Sequence, residues 1–272
     1  MNTYKSCFSY NGSRYEGWQI QQHTDLTVQG QINKVLKKIT KSEEIRTLGS
    51  GRTDSGVHAM AQVCKLSLPI SIESGSLMKA LNSQLPKDIR CTSLQSCHAD
   101  FHPVRDAIWK QYDYIVYTGE ILNPMLNSMV THYSYPLDLD LVRGALSVLE
   151  GEKDFKNFST KGTEVSSTIR TLHCAELIEG SGQSFEYLSL NESFLRFRFV
   201  GSGFLKQMVR LLVSAALESG RGKVMPREIE EFLNQNVETK IAPTAKPHGL
   251  YLSHVEYKDA WCPSIDKRLQ SR

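Results

Sequence analysis

Residues 49–60 read GSGRTDSGVHAM, and the residue there best suited to chemistry is Asp54. An aspartate titrates near pH ~3.9 when unperturbed and is therefore an anion at neutral pH. Held in a partly dry loop beside an apolar strand, such a carboxylate needs a cationic partner, and it can serve as a nucleophile or a base. Arg52 is the nearest cation in sequence. Side chains two apart in extended backbone point the same way, so Arg52 either pairs with Asp54 or stands over it towards a substrate. Gly49, Gly51 and Gly56 permit positive φ and close approach of the backbone to a ligand. On residue types alone the bland alternative is an Asx-turn, in which the aspartate bonds its own backbone. Phosphate-binding fingerprints do not fit: no Gly-Lys-Ser/Thr follows, the third glycine of a dinucleotide loop is missing, and a strand rather than a helix comes next.

Further candidates lie in the second half. The segment FLKQMVRLLVSAALE reads as a helix that is apolar nearly all round except for Lys206, Gln207, Arg210 and Ser214. A buried, uncompensated arginine costs several kcal/mol (~3–5), so Arg210 is expected to have an anionic partner, and Asp54 is the candidate. In SFLRFRFVG, Leu195, Phe197 and Phe199 alternate with Arg196 and Arg198, which would place both arginines on one sheet face. Between Arg196 and Arg227 the cations also include Lys206, Arg210, Arg221 and Lys223, against Glu218 as the acidic residue. This basic zone suits phosphate contacts, although an ordinary charged sheet face has the same composition. Cys91, Cys97, His98 and His102 cluster in sequence, but their spacing matches no standard zinc pattern.

These residues need elements to position them. Tyr4, Phe8 and Tyr10 share one face of a first strand that ends in an NGS turn. A helix over 27–40, capped by Thr27, lines up Val28, Ile32, Val35, Leu36 and Ile39. A short strand near 44–48 and a longer one from Met60 to Leu68 flank the glycine-rich loop. Ser74 is placed to cap a second helix, which Pro86 stops. A second set follows: a strand in WKQYDYIVY, a helix over 140–149, strands at 168–178 and 186–190, and SFLRFRFVG. It ends with an apolar helix over 204–219 closed by Gly220, a short helix starting at Pro226, and a last strand, GLYLSHVEY. Each half thus mixes antiparallel strands with two helices, an α+β architecture of sheet-and-helix layers. FHPVRDA interrupts the pattern near 100–108, so the domains are expected at 1–104 and 105–272.

A chain of 272 residues with 40% hydrophobic and 22% charged residues is long enough to bury a substantial core. A net charge of +3 neither demands nor excludes a nucleic-acid partner. Six scattered cysteines without a C-x-x-C pair, and the absence of an apolar N-terminal or membrane-length run, predict a cytoplasmic, soluble protein.

The stretch GRTDSGVHA resembles the signature loop of the TruA family of tRNA pseudouridine synthases, usually G-R-T-D-A-G-V-H-A, with Ser55 as the one departure. The resemblance continues in order through YNGSRYEGWQIQ, TVQGQINKVL, LNSQLPKDIR, FHPVRDA, KQYDYIVY, GSGFLKQMVRLLV and PTAKPHGLYL, from about residue 4 to 257. It implies two ferredoxin- or RRM-like α+β halves whose antiparallel sheets join into one central sheet with helices on one face. It further implies isomerisation of uridine to pseudouridine in the tRNA anticodon arm, at tRNA positions 38, 39 and 40, without metal or redox cofactor, by a homodimer. Asp54 would be the catalytic nucleophile or base. Arg52 would hold the gap left by the flipped base or a flanking phosphate. Tyr112 would pack on the extruded uracil, where residue type alone suggests plain core filling, and Leu250 would line the pocket. The family's F-H-A-R is here F-H-P-V, with Arg105 one place later; in extended backbone this turns the side chain to the opposite face. Two other readings compete: an RNA-binding, tRNA-folding chaperone without catalysis, and a glycosidase. Asp54 argues against the first, because pure binding gains nothing from an anion beside a polyanion. Against the second, Asp54 has no evident carboxylate partner.

Overall fold

The computed structural model describes residues 1–160, 166–180, 193–235 and 239–258; the strand expected at 186–190 and Cys262 lie outside the described residues. The chain divides into two compact units: Met1–Ile108 with, of the described residues, 251–258, and Trp109–Leu250.

The first unit runs β1 (Asn2–Tyr10), α1 (Val28–Thr40), β2 (Arg46–Gly49), β3 (His58–Leu68), α2 (Ser74–Gln84) and β4 (Ile89–Ser96). β1 lies between β4 and β3, antiparallel to both, and β2 adds antiparallel to β3. This is the βαββαβ order of a ferredoxin-like unit. A last strand, β10 (Leu250–Tyr257), pairs in parallel with the start of β3, Tyr251 opposite His58. The antiparallel pattern read from the sequence therefore carries a short parallel addition here.

The helices form as the apolar spacing dictates. Ile32 and Leu36 of α1, and Leu77 and Leu81 of α2, are fully buried, each contributing about 1.5–3 kcal/mol relative to exposure. Thr27 caps α1 by accepting the Gly30 N–H at 3.2 Å. The cap of α2 is Glu73 rather than Ser74: its carboxylate accepts from Gly75 and Ser76. Those hydrogen bonds hold the Glu73 carboxyl below its usual range, because they favour the charged form. On the other face of the sheet the Lys5 ammonium sits 4.0 Å from the Tyr257 ring centroid, and the Tyr257 hydroxyl donates to the Pro103 carbonyl at 2.6 Å. Arg105 lies in a turn closed by the Asp106 N–H on the His102 carbonyl at 3.0 Å. The backbone there is not extended, so a one-residue shift does not simply reverse the side chain.

The second unit contains β5 (Ala107–Tyr117), β6 (Thr131–His132), α3 (Leu139–Ser147), β7 (Gly151–Asp154), β8 (Ile169–Glu179), β9 (Phe194–Gly201), α4 (Met208–Gly220) and α5 (Pro226–Asn234). Its strands follow the order β5-β9-β8-β7, antiparallel throughout, with β6 parallel to β5. α3 packs on α4 and α5, so these helices form one layer. α4 is buried along nearly its whole length, as a helix apolar on every side must be. It starts at Met208, four residues later than the apolar run suggests, because Gln207 adopts φ 60° in the left-handed region.

Candidate active site

Asp54 lies in the loop between β2 and β3, half-buried, in a segment with no regular secondary structure. A turn closes on it: the Val57 N–H donates to the Asp54 carbonyl at 3.1 Å, with Gly56 at φ 78° in the third position. Only a residue tolerant of positive φ fits there. Of the three glycines expected to use that freedom, Gly49 and Gly51 do not adopt it. Gly49 instead gives room to Trp18, whose indole nitrogen would stand 2.5 Å from an added Cβ.

The loop is tied at both ends. Upstream, the Ser50 N–H reaches the Val63 carbonyl at 2.7 Å, the Ser50 hydroxyl donates to Gln62 Oε1 at 2.7 Å, and Gln62 Nε2 donates to the Gly51 carbonyl at 2.8 Å. Downstream, residues 11–18 run alongside. The Trp18 N–H donates to the Thr53 carbonyl at 3.1 Å, and the Gly56 N–H to the Tyr15 carbonyl at 3.2 Å. The Tyr10 and Thr53 hydroxyls are hydrogen-bonded at 2.8 Å. Asp54 is thus held by backbone contacts on either side of it while its own residue stays half-open.

Arg52 is exposed and, among the described residues, makes no ion pair. It therefore does not form an ion pair with Asp54. Asp54 and Arg52 belong to the first unit; Tyr112, Arg210 and Leu250 belong to the second.

Tyr112 sits on β5 opposite Phe199 and meets Phe204 edge-on, ring centroids 4.9 Å apart. Its neighbour on the same face, Tyr114, is fully buried, and its hydroxyl is held at 2.7 Å by the Thr131 hydroxyl and at 2.8 Å by the Lys246 carbonyl. Burial pushes its phenol up to about 12. Tyr114 is therefore a core anchor. Arg210 is in the first turn of α4, half-buried, with Nε donating to the Ala245 carbonyl at 2.7 Å. Lys206 precedes the helix, so the polar stripe read from the sequence shortens to Arg210 and Ser214. Leu250 is buried at the start of β10, after a 3-10 turn over Pro247–Gly249. The following Tyr251, in the first unit, is buried and stacks on His58. Burial raises the Tyr251 phenol.

The expected phosphate-facing arginines are elsewhere. Arg196 and Arg198 are 3% and 7% exposed, with Nε 3.9 and 3.7 Å from Asp113 Oδ1. Arg198 also reaches Glu176 at 2.9 Å. Asp113 on β5 and Glu176 on β8 lie directly opposite Arg198 in the sheet register. The neighbouring strands thus neutralise this face from within, and alternation on β9 alone does not reveal that. Glu218 likewise takes up Arg221 and Lys223. Among the described residues no group of three or more His, Cys, Asp and Glu side chains is placed to hold a metal ion. No helix among them is long and apolar enough to cross a membrane.

Sequence reasoning passed over His58, Gln62 and the glycines of residues 11–18. A visible signal was Gln62 inside the otherwise apolar run 59–64 of β3.

A family model described as tRNA pseudouridine synthase matches residues 7–104 and 145–258. Proteins named tRNA pseudouridine synthase A from Streptococcus pneumoniae strains Taiwan19F-14, Hungary19A-6 and CGSP14 are each 37% identical over 260 residues, covering 95% of this chain and 100% of theirs. A solved Cbf5-Nop10-Gar1 complex aligns over 79% of this chain and 45% of the matched one, at 14% identity and a TM-score of 0.34, too weak a likeness to bear on the fold. With its signature loop, its βαββαβ first unit and this breadth of match, the chain belongs to the tRNA pseudouridine synthase family, of the TruA type.

Proposed function

We propose that the protein isomerises uridine to pseudouridine in tRNA, with Asp54 as the catalytic carboxylate. The observation that carries this reading is the Asp54 turn: it is fixed at both ends by backbone hydrogen bonds, yet its residue is half-open and lies two places from an exposed Arg52. Relatives named tRNA pseudouridine synthase A support the substrate. In the reaction the N1–C1′ bond breaks, the uracil turns, a C5–C1′ bond forms, C5 loses its proton and N1 gains one. One carboxylate suffices, whether it attacks the ribose, attacks the base, or removes a proton to give a glycal.

The target nucleotide leaves its stack at a cost of a few kcal/mol (~2–4). Tyr112 is assigned the stacking role, and Arg52 the flanking phosphate or the vacated gap, for which a planar guanidinium suits better than an ammonium. Arg210 and Leu250 are assigned to substrate binding, and Arg210 also to offsetting the Asp54 charge. The uridines are those of the anticodon arm, recognised by shape more than by sequence. A homodimer in the cytoplasm is the working assembly, to be checked by light scattering and cell fractionation.

Tritium release from tRNA labelled at uridine C5 tests the reading: the wild type releases label, and Asp54→Asn loses release by about 10²–10⁴-fold or more. A wild type that binds tRNA but releases no label would leave the RNA-chaperone reading, and an equally active Asp54→Asn would remove Asp54 as the catalytic carboxylate. Free uracil among the products would mean a glycosidase.

A further inference from the structure

The Asp54 turn is not part of any strand or helix, so something else must fix it to the sub-ångström tolerance that catalysis requires. Residues 11–18 press on it from one side, but they are themselves irregular apart from a three-residue 3-10 turn at Gly12–Arg14. Gly12 is where that segment meets β3. Its N–H donates to His58 Nδ1 at 3.0 Å, and a Cβ on Gly12 would stand 1.9 Å from the Val57 carbonyl oxygen. His58 is 2% exposed and stacks on the Tyr251 ring, centroids 4.7 Å apart and 24° between planes. Accepting at Nδ1 requires that nitrogen to be bare, which in the neutral ring puts the proton on Nε2.

The pairing of β1 with β3 explains how His58 reaches Gly12. Phe8 is opposite Gln62, but Tyr10 is opposite Ala59, so β3 has one more residue than β1 in this interval. Such a bulge re-aims the side chains beyond it, and uninterrupted alternation would have sent His58 to the other face. Four residues along, Gln62 is fully buried and spends both ends of its amide on the upstream limb: Oε1 on the Ser50 hydroxyl and Nε2 on the Gly51 carbonyl. Two polar side chains of β3 are thus buried, one on each approach to Asp54. Local rules broken in this way without gain to the core mark function.

We propose that His58 and Gln62 are positioning residues for Asp54, His58 through Gly12 and the 11–18 segment, Gln62 through Ser50 and Gly51. The proposal rests on the reading of Asp54 as the catalytic carboxylate.

The test compares His58→Asn, whose amide oxygen can replace Nδ1 as acceptor, with His58→Leu, which is of similar size and has none. Gln62→Glu, which keeps the acceptor for Ser50, is compared with Gln62→Met. For each variant, kcat and KM on tRNA, the melting temperature and the exchange rate of the Gly12 amide are measured. His58→Leu is expected to lower kcat about 10–100-fold with KM within about threefold, and to speed exchange at Gly12. His58→Asn is expected to recover most of kcat and of the Gly12 protection, whatever its melting temperature, and Gln62→Glu to outperform Gln62→Met. A His58→Leu enzyme that turns over at the wild-type rate, or a His58→Asn enzyme as slow as His58→Leu, overturns the proposal. So does kcat that follows melting temperature across the set rather than the presence of an acceptor. Asp54→Asn run alongside separates the failures: if it is active the underlying reading falls, and if it is inert while His58→Leu is not, only the positioning roles fall.

Discussion

Gly12 lies so close to Val57 that a methyl group on its α-carbon would stand 1.9 Å from the Val57 carbonyl oxygen and 2.6 Å from the carbonyl carbon. The obstructing atoms are backbone at the exit of the Asp54 turn, and they cannot swing aside as a side-chain tip could. Gly12→Ala is therefore expected to cost about 1–3 kcal/mol or more of overpacking, and to lower activity beyond what the lost stability explains. Thermal melting and tritium release on the same preparation check this; an unchanged rate would show that residues 11–18 can shift without moving Asp54.

Asp113 faces two buried arginines, with Nε atoms of Arg196 and Arg198 at 3.9 and 3.7 Å from its Oδ1. Removing the carboxylate strands positive charge in the interior, so Asp113→Ala is expected to destabilise the fold by about 3–5 kcal/mol. Urea denaturation measures it. If Arg196 and Arg198 were phosphate contacts instead, the salt dependence of tRNA binding would weaken by about one unit of slope for each arginine removed. The expected result for Arg198→Met is an unaltered slope.

Lys110 is buried on β5, and that burial, with Arg170 adding repulsion, lowers its ammonium from 10.5 to about 8. Between those values the unfolded chain binds a proton that the folded protein does not, so this group's contribution to stability rises with pH across the window. Below about pH 8 the desolvation penalty is fully present. The stability of the wild type relative to Lys110→Met should thus improve from about pH 8 to 10.5 and stay level below it, as equilibrium denaturation at a series of pH values would report. A flat difference across the window removes the explanation.

Tyr112 meets Phe204 edge-on, a contact that its ring and not its hydroxyl supplies. With the stacking role assigned to it, Tyr112→Phe should keep tRNA affinity, whereas Tyr112→Ala should weaken it by about 1–3 kcal/mol, a shift of roughly 5–150-fold. Binding by filter retention in an Asp54→Asn background reads the stack without turnover. Equal behaviour of the two variants would make Tyr112 a core residue only.

Much of the fold was legible because apolar periodicity is local. Val28, Ile32 and Leu36 of α1 and Val142, Ala145 and Leu146 of α3 face inward as their spacing requires, and Thr27 caps where an N-cap is expected. Glu73 displaced Ser74 as a cap because a carboxylate one residue earlier can accept two N–H groups at once. The charged face of β9 was misread for a different reason. Alternation tells which residues of one strand share a face, but whether they meet water or opposite charge depends on the strands beside them.

By itself the sequence determined the loop that carries Asp54, the exposed arginine two residues before it, the α+β order of elements and, through nine contiguous residues of a signature, the family. These follow from short-range patterns that the chain displays wherever it folds. Tertiary structure alone decided that Arg196 and Arg198 answer Asp113 and Glu176, that Gln62 bonds Ser50 and Gly51, and that His58 bonds Gly12. It also decided that Gly12 is needed for closeness to Val57. Each of those depends on register and packing between segments far apart in sequence, and a one-residue bulge in β3 is enough to change which side chains meet.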